Sequence, residues 1–68
     1  MVYYSMLGRR VRELRKARDL TQRELAERAQ LSLIFIKKLE AGERGNSTVK
    51  TLTRLAKALG VPVAELLK

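Results

Sequence analysis

Apolar residues recur along this chain at intervals of three and four, and no stretch alternates residue by residue. That is the period of helices with one buried face, so every element is expected to be helical. Leu7, Val11 and Leu14 mark one face of a first helix from about Ser5 to Arg18. Arg9, Arg10, Arg12, Lys16 and Arg18 line its other side. Asp19 follows where helices commonly end in a left-handed residue, a conformation Asp adopts at a mild cost. Thr21-Gln22-Arg23-Glu24 has the capping-box pattern, in which hydroxyl and carboxylate each take the other residue's amide. The helix it opens runs to about Ala29 with Leu25, Ala26 and Ala29 inward, and two turns cannot stand alone in water. Gln30 and Leu31 form a tight turn, and Ser32 is typed to cap a third helix that turns Ile36 and Leu39 inward and ends at Ala41-Gly42.

A polar loop from Glu43 to Ser47 leads to a fourth helix, about Thr48 to Leu59, expected to bury Val49, Leu52, Leu55, Ala56 and Leu59. Gly60 stops it, and Pro62 suits the first turn of a short fifth helix whose Val63, Leu66 and Leu67 can close the core. The expected fold is all-α, a compact bundle of five short helices (about 5–18, 21–29, 32–41, 48–59 and 62–67). It forms a single domain over residues 5–68 behind an N-terminal extension of residues 1–4.

Composition narrows the function. Sixty-eight residues allow one small domain, with no deep cavity. Without Cys there is no disulfide, thiolate metal site or thiol nucleophile. Without His the usual general base and commonest metal ligand are missing too, and the seven carboxylates are scattered. No enzyme, metal or cofactor is expected. A formal charge of +8 points to a polyanion, either nucleic acid or an acidic membrane surface. The longest apolar runs, Leu33–Ile36 and Ala58–Ala64, are far shorter than the roughly 20 residues of a bilayer span. The segment Met1 to Met6 lacks the basic and apolar regions of a signal peptide, so a cytoplasmic location is expected, with no membrane partner.

Leu20 to Gly42 is the informative stretch. Two short helices joined by a turn of about three residues must cross steeply, and Ala26 supplies a small side chain opposite Ile36 at the crossing. Such a pair can present the start of its second helix to a DNA major groove. The series Thr21-Gln22-x-Glu24-Leu25-Ala26, Leu31-Ser32, Ile36, Leu39-Glu40-x-Gly42, Thr51-Leu52, Leu55-Ala56-x-Ala58-Leu59-Gly60-Val61 and Leu66 resembles the lambda-repressor/Cro-type helix-turn-helix family. That bacterial and phage regulator family is also called the xenobiotic-response-element type, and the resemblance spans about Leu7 to Leu67.

The resemblance implies a DNA-binding set. Gln22, with Arg23 beside it, opens helix two against the DNA backbone, where the helix N-terminus adds its dipole. Ser32, Leu33, Ile34, Phe35, Lys37 and Lys38 fall on the recognition positions, and Arg44, Asn46, Thr48 and Lys50 on the phosphate-gripping loop and the start of helix four. Arg15 and Glu40 match a family ion pair that braces the reading helix. Three departures stand out: Gln30 replaces the usual turn glycine, Gly45 lengthens the loop by one residue, and Leu33-Ile34-Phe35 are apolar where polar readers are common. Phe35 either packs on the core or joins the reading face. Lys38 reaches a guanine edge or a phosphate, or is simply solvated. A helix that buries Ile36 and Leu39 turns Leu33 or Ile34 outward, onto thymine methyls or onto another protein.

The expected function is sequence-specific binding of double-stranded DNA as a transcriptional regulator, a homodimer on a palindromic operator with helix three in the major groove. The alternative is a protein-interaction module of the same fold, an antitoxin or accessory subunit, that docks a second protein on Leu33 and Ile34. Val2, Tyr3, Tyr4 and Leu67 are candidate dimer residues. No small-molecule effector is expected.

Overall fold

The computed structural model describes residues 2–43 and 48–67, with side chains from Met6 onward. In chain order the elements are α1 (Val2–Ala17), α2 (Gln22–Ala29), α3 (Leu33–Glu40), α4 (Val49–Leu59) and a 3-10 helix (Val63–Leu67). There is no strand among the described residues.

The caps explain why these short elements start and stop where they do. Thr21 is extended and takes the Glu24 amide at 3.0 Å on its hydroxyl, while the Glu24 carboxylate takes the Thr21 amide at 2.8 Å. The hydroxyls of Ser32 and Thr48 accept the amides of Phe35 and Thr51 at 3.0 and 3.1 Å, opening α3 and α4 in the same way. Both Asp19 and Gln30 take left-handed backbone, with φ of 55° and 58°, so each helix-ending turn is made without a glycine.

Two boundaries differ from the periodicity reading. α1 reaches back to Val2, ahead of Ser5, so the backbone of residues 2–4 is helical. Apolar spacing marks only where contact with the core begins, and no Pro or Gly stands before Gly8 to break the helix. The last element is a 3-10 helix because it is a single short run after Pro62, whose carbonyl takes the Glu65 amide three residues on, at 2.9 Å.

One core joins all five elements: Val11 and Leu14 of α1, Leu20, Leu25, Ala26 and Ala29 of α2 and its approach, Ile36 and Leu39 of α3, Leu55, Ala56 and Leu59 of α4, and Leu66. Val49, expected inside, is 79% exposed. It is the first residue of α4, where a side chain leans back past the helix start and away from the layer that Leu52 and Leu55 meet. Leu67 is likewise 63% exposed, since Leu66 takes the inward position of the 3-10 helix.

Gly8 is buried where α1 crosses the end of α3, and a Cβ there would overlap the Leu39 carbonyl oxygen. The close approach of α1 to α3 therefore depends on glycine. Arg10, read from the sequence as part of a solvated face, is instead half-buried. Its guanidinium donates from Nε to the Glu65 carbonyl oxygen and from Nη2 to the Glu65 carboxylate, both at 2.8 Å, which ties α1 to the 3-10 helix.

Candidate nucleic-acid interface

The candidate surface is organised around the far end of α3. Arg15 projects from α1 and donates through Nε and Nη2 to the two carboxylate oxygens of Glu40 at 2.7 and 3.0 Å. Its Nη1 donates to the Leu20 carbonyl at 2.6 Å, and Gln22 Nε2 donates to Glu40 Oε1 at 3.2 Å. A fork-on-carboxylate pair is geometrically specific, so this one contact fixes the end of α3 against α1 and the start of α2 together. The Arg15 and Glu40 side chains are only 11% and 4% exposed. Gln22 therefore arrives oriented, with its amide held by a carboxylate whose charge Arg15 already balances.

An open cleft of 360 Å³ adjoins this cluster, lined by Arg12, Arg15, Gln22, Lys37, Glu40 and Ala41. Among the described residues neither Arg12 nor Lys37 has an ion-pair partner. Sequence reasoning had left Arg12 among the solvated arginines of α1. Its position one turn before Arg15, hence on the same helix face, was the signal that could have singled it out.

The outer face of α3 carries Ser32, Ile34, Lys37 and Lys38, all exposed, with Ile34 at 66%. Phe35 packs against the core and is only partly accessible, and Leu33 is half-buried. The apolar triplet thus divides, and Ile34 alone stands well out of the surface. Arg23, Thr48 and Lys50 are exposed as well, Thr48 with its hydroxyl engaged as the α4 cap. Arg44 and Asn46 lie outside the described residues, as do the side chains of Val2, Tyr3 and Tyr4. Among the described residues no cluster of acidic side chains is placed to hold a metal ion, and no helix is long and apolar enough to cross a membrane.

Two eight-residue helices crossing through a tight turn, the second capped by Ser32 and exposed along one side, define a helix-turn-helix domain. Residues 11–66 match the sequence model of the helix-turn-helix family, and the chain belongs to that family, in its lambda-repressor-like, xenobiotic-response-element branch. It is 41% identical over 63 residues to the HTH-type transcriptional regulator RghRB of Bacillus subtilis, an alignment covering 93% of this chain and 45% of that protein. It is also 41% identical over 58 residues to the immunity repressor protein of Bacillus phage phi105, covering 85% of this chain and 40% of the repressor. The chain thus spans less than half the length of either relative. Among solved structures, the restriction-modification controller protein C.AhdI of Aeromonas hydrophila superposes with a TM-score of 0.92 at 33% identity, over 97% of this chain and 98% of the controller. The controller C.Esp1396I superposes with a TM-score of 0.87 at 27% identity, over 98% and 88% of the two chains. The Bacillus subtilis relative is a transcriptional regulator and the phage relative a repressor.

Proposed function

We propose that the chain is a sequence-specific regulator that binds a palindromic operator in double-stranded DNA as a homodimer, with α3 of each copy in the major groove. The observation that carries this reading is the outer face of α3. Ser32, Ile34, Lys37 and Lys38 are exposed side by side on a helix whose far end is clamped by Arg15 and Glu40. A reading helix must be held still if its side chains are to discriminate base edges. Ile34 is the apolar reader, suited to a thymine methyl, and Lys38 reaches a guanine edge or a neighbouring phosphate. Gln22, with Arg23 beside it, positions one DNA strand, and Thr48 and Lys50 position the other, with Arg44 and Asn46 of the intervening loop assigned to the same strand by resemblance alone.

Dimerisation follows from size, because one domain this small offers few base contacts and two copies one helical turn apart double them. Leu67, exposed beside the core, is assigned to the surface, with Val2, Tyr3 and Tyr4 added to it from the sequence alone. The site of action is the cytoplasm. A second reading, docking of another protein on α3, rests on the same exposed Ile34.

Selection of bound duplexes from a random pool, followed by salt-titrated fluorescence anisotropy, tests the proposal. The expected result is an enriched inverted repeat whose affinity falls steeply with salt. Enrichment of no sequence, with a flat salt response, would overturn DNA reading and leave the protein-docking alternative. Enrichment of a single, unrepeated half-site would overturn the homodimer.

A further inference from the structure

A second basic surface lies outside the interface just described. An open pocket of 610 Å³ runs between the C-terminal end of α2 and the C-terminal half of α4, lined by Arg28, Ala29, Gln30, Thr53, Arg54, Lys57 and Ala58. Three of these residues are cationic and none is acidic. Among the described residues Arg54 and Lys57 have no ion-pair partner and Arg54 is half-buried in the wall, while Arg28 lies one turn on from Glu24 and interacts with its carboxylate charge without a close ion pair. Placing three like charges around one concavity disfavours the empty state through mutual repulsion, and an anion entering it relieves that repulsion.

We propose that this pocket is a docking site for a carboxylate-bearing segment of a partner protein. Charge complementarity and the mixed lining favour that occupant. The three cations meet no acid in the lining, the partly exposed Ala58 methyl can take a short apolar stem, and the half-buried Arg54 presents the planar fork that pairs two-pronged with a carboxylate. The site is also separate from the reading surface: Arg28 stands about 9 Å along α2 from Gln22, and Lys57 about 10 Å along α4 from Lys50, at 1.5 Å of rise per residue. A partner can therefore dock while α3 is occupied.

The probe is a fluorescein-labelled oligoglutamate peptide, titrated by anisotropy at low salt against the whole chain and two triple variants of equal charge loss. Arg28→Ala/Arg54→Ala/Lys57→Ala is expected to weaken peptide binding about tenfold, a difference of about 1.4 kcal/mol, with DNA affinity nearly unchanged. Lys37→Ala/Lys38→Ala/Lys50→Ala is expected to do the reverse. In the unsubstituted protein the backbone amide signals of Ala29, Thr53 and Ala58 should shift on adding peptide while that of Ser32 stays in place, a readout that does not depend on any variant folding. Equal peptide losses in the two variants would overturn the proposal, since the protein's general field would then account for binding. A pocket variant that loses DNA affinity and keeps the peptide would overturn it in favour of a flanking phosphate contact, and absence of peptide binding would overturn it outright.

Discussion

Arg15 of α1 and Glu40 at the end of α3 meet fork to carboxylate at 2.7 and 3.0 Å, with the remaining guanidinium nitrogen on the Leu20 carbonyl. All three guanidinium nitrogens of Arg15 and both carboxylate oxygens of Glu40 have a partner, so the pair is stable only as a whole. Arg15→Ala strands the Glu40 carboxylate, and Glu40→Ala strands the guanidinium and frees Gln22. Each is expected to lower unfolding free energy by about 3–5 kcal/mol, measured by urea denaturation, because an unpaired charge is left in a poorly hydrated place. The double variant is expected to lose much less than the sum of the two.

Gly8 carries a prediction of the opposite sign from helix propensity. Alanine is normally better than glycine inside a helix by about 1 kcal/mol. At Gly8, however, the added methyl overlaps the Leu39 carbonyl, a backbone atom that cannot rotate away. Gly8→Ala is expected to destabilise by a net of about 2 kcal/mol, as overpacking against a fixed neighbour does. Urea melts would show it, and amide signals of α3 would shift because α1 and α3 must separate. Any stabilisation would contradict the close approach.

These two contacts separate what sequence carries from what it hides. The helices were legible because apolar spacing and caps are local: Thr21 with Glu24, Ser32 and Thr48 all announce helix starts within four residues. The pairing of Arg15 with Glu40 lies 25 positions apart and could be reached only by resemblance to a family. Gly8 and Arg10 were not legible at all. A glycine within a helical period reads as a blemish until the facing carbonyl is known, and an arginine on the polar side reads as solvated until Glu65 folds over it. Val49 failed for a related reason, since the period gives a face but not how far along the helix the neighbouring layer extends. On α3 the sequence required that Leu33 or Ile34 face outward; only packing against α2 and the core could decide that Ile34 does.

The turn at Gln30 can be improved. Its φ of 58° costs a residue bearing Cβ about 1–2 kcal/mol, and its side chain is exposed. Gln30→Gly removes that strain but adds freedom to the unfolded chain, so the net gain is expected to be about 0.5–1 kcal/mol. Gly60, also left-handed at 71° with nothing near its missing Cβ, supplies the converse: Gly60→Ala should cost about 1 kcal/mol through backbone strain alone. Thermal melts of both variants would check the pair. Opposite signs are required, because the same backbone conformation underlies each.

One contribution to acid sensitivity is expected at the α2 cap. The Thr21 backbone amide donates to the Glu24 carboxylate and holds its pKa below the ordinary 4.5, with help from the Thr21 hydroxyl and the nearby Arg28. A carboxyl whose folded pKa is depressed stabilises the fold above its unfolded pKa and loses that contribution as pH falls through the folded value. Glu24→Gln keeps an acceptor for the Thr21 amide but cannot titrate. The wild-type protein is therefore expected to melt above Glu24→Gln at neutral pH, with the gap closing as pH is lowered through 4.5 and below. Thr21→Ala, which removes the hydroxyl but leaves the backbone amide, should retain most of that pH dependence, because the amide is the larger cause of the shift. A gap between wild type and Glu24→Gln that stays constant across this range would mean that the carboxylate charge contributes nothing at the cap.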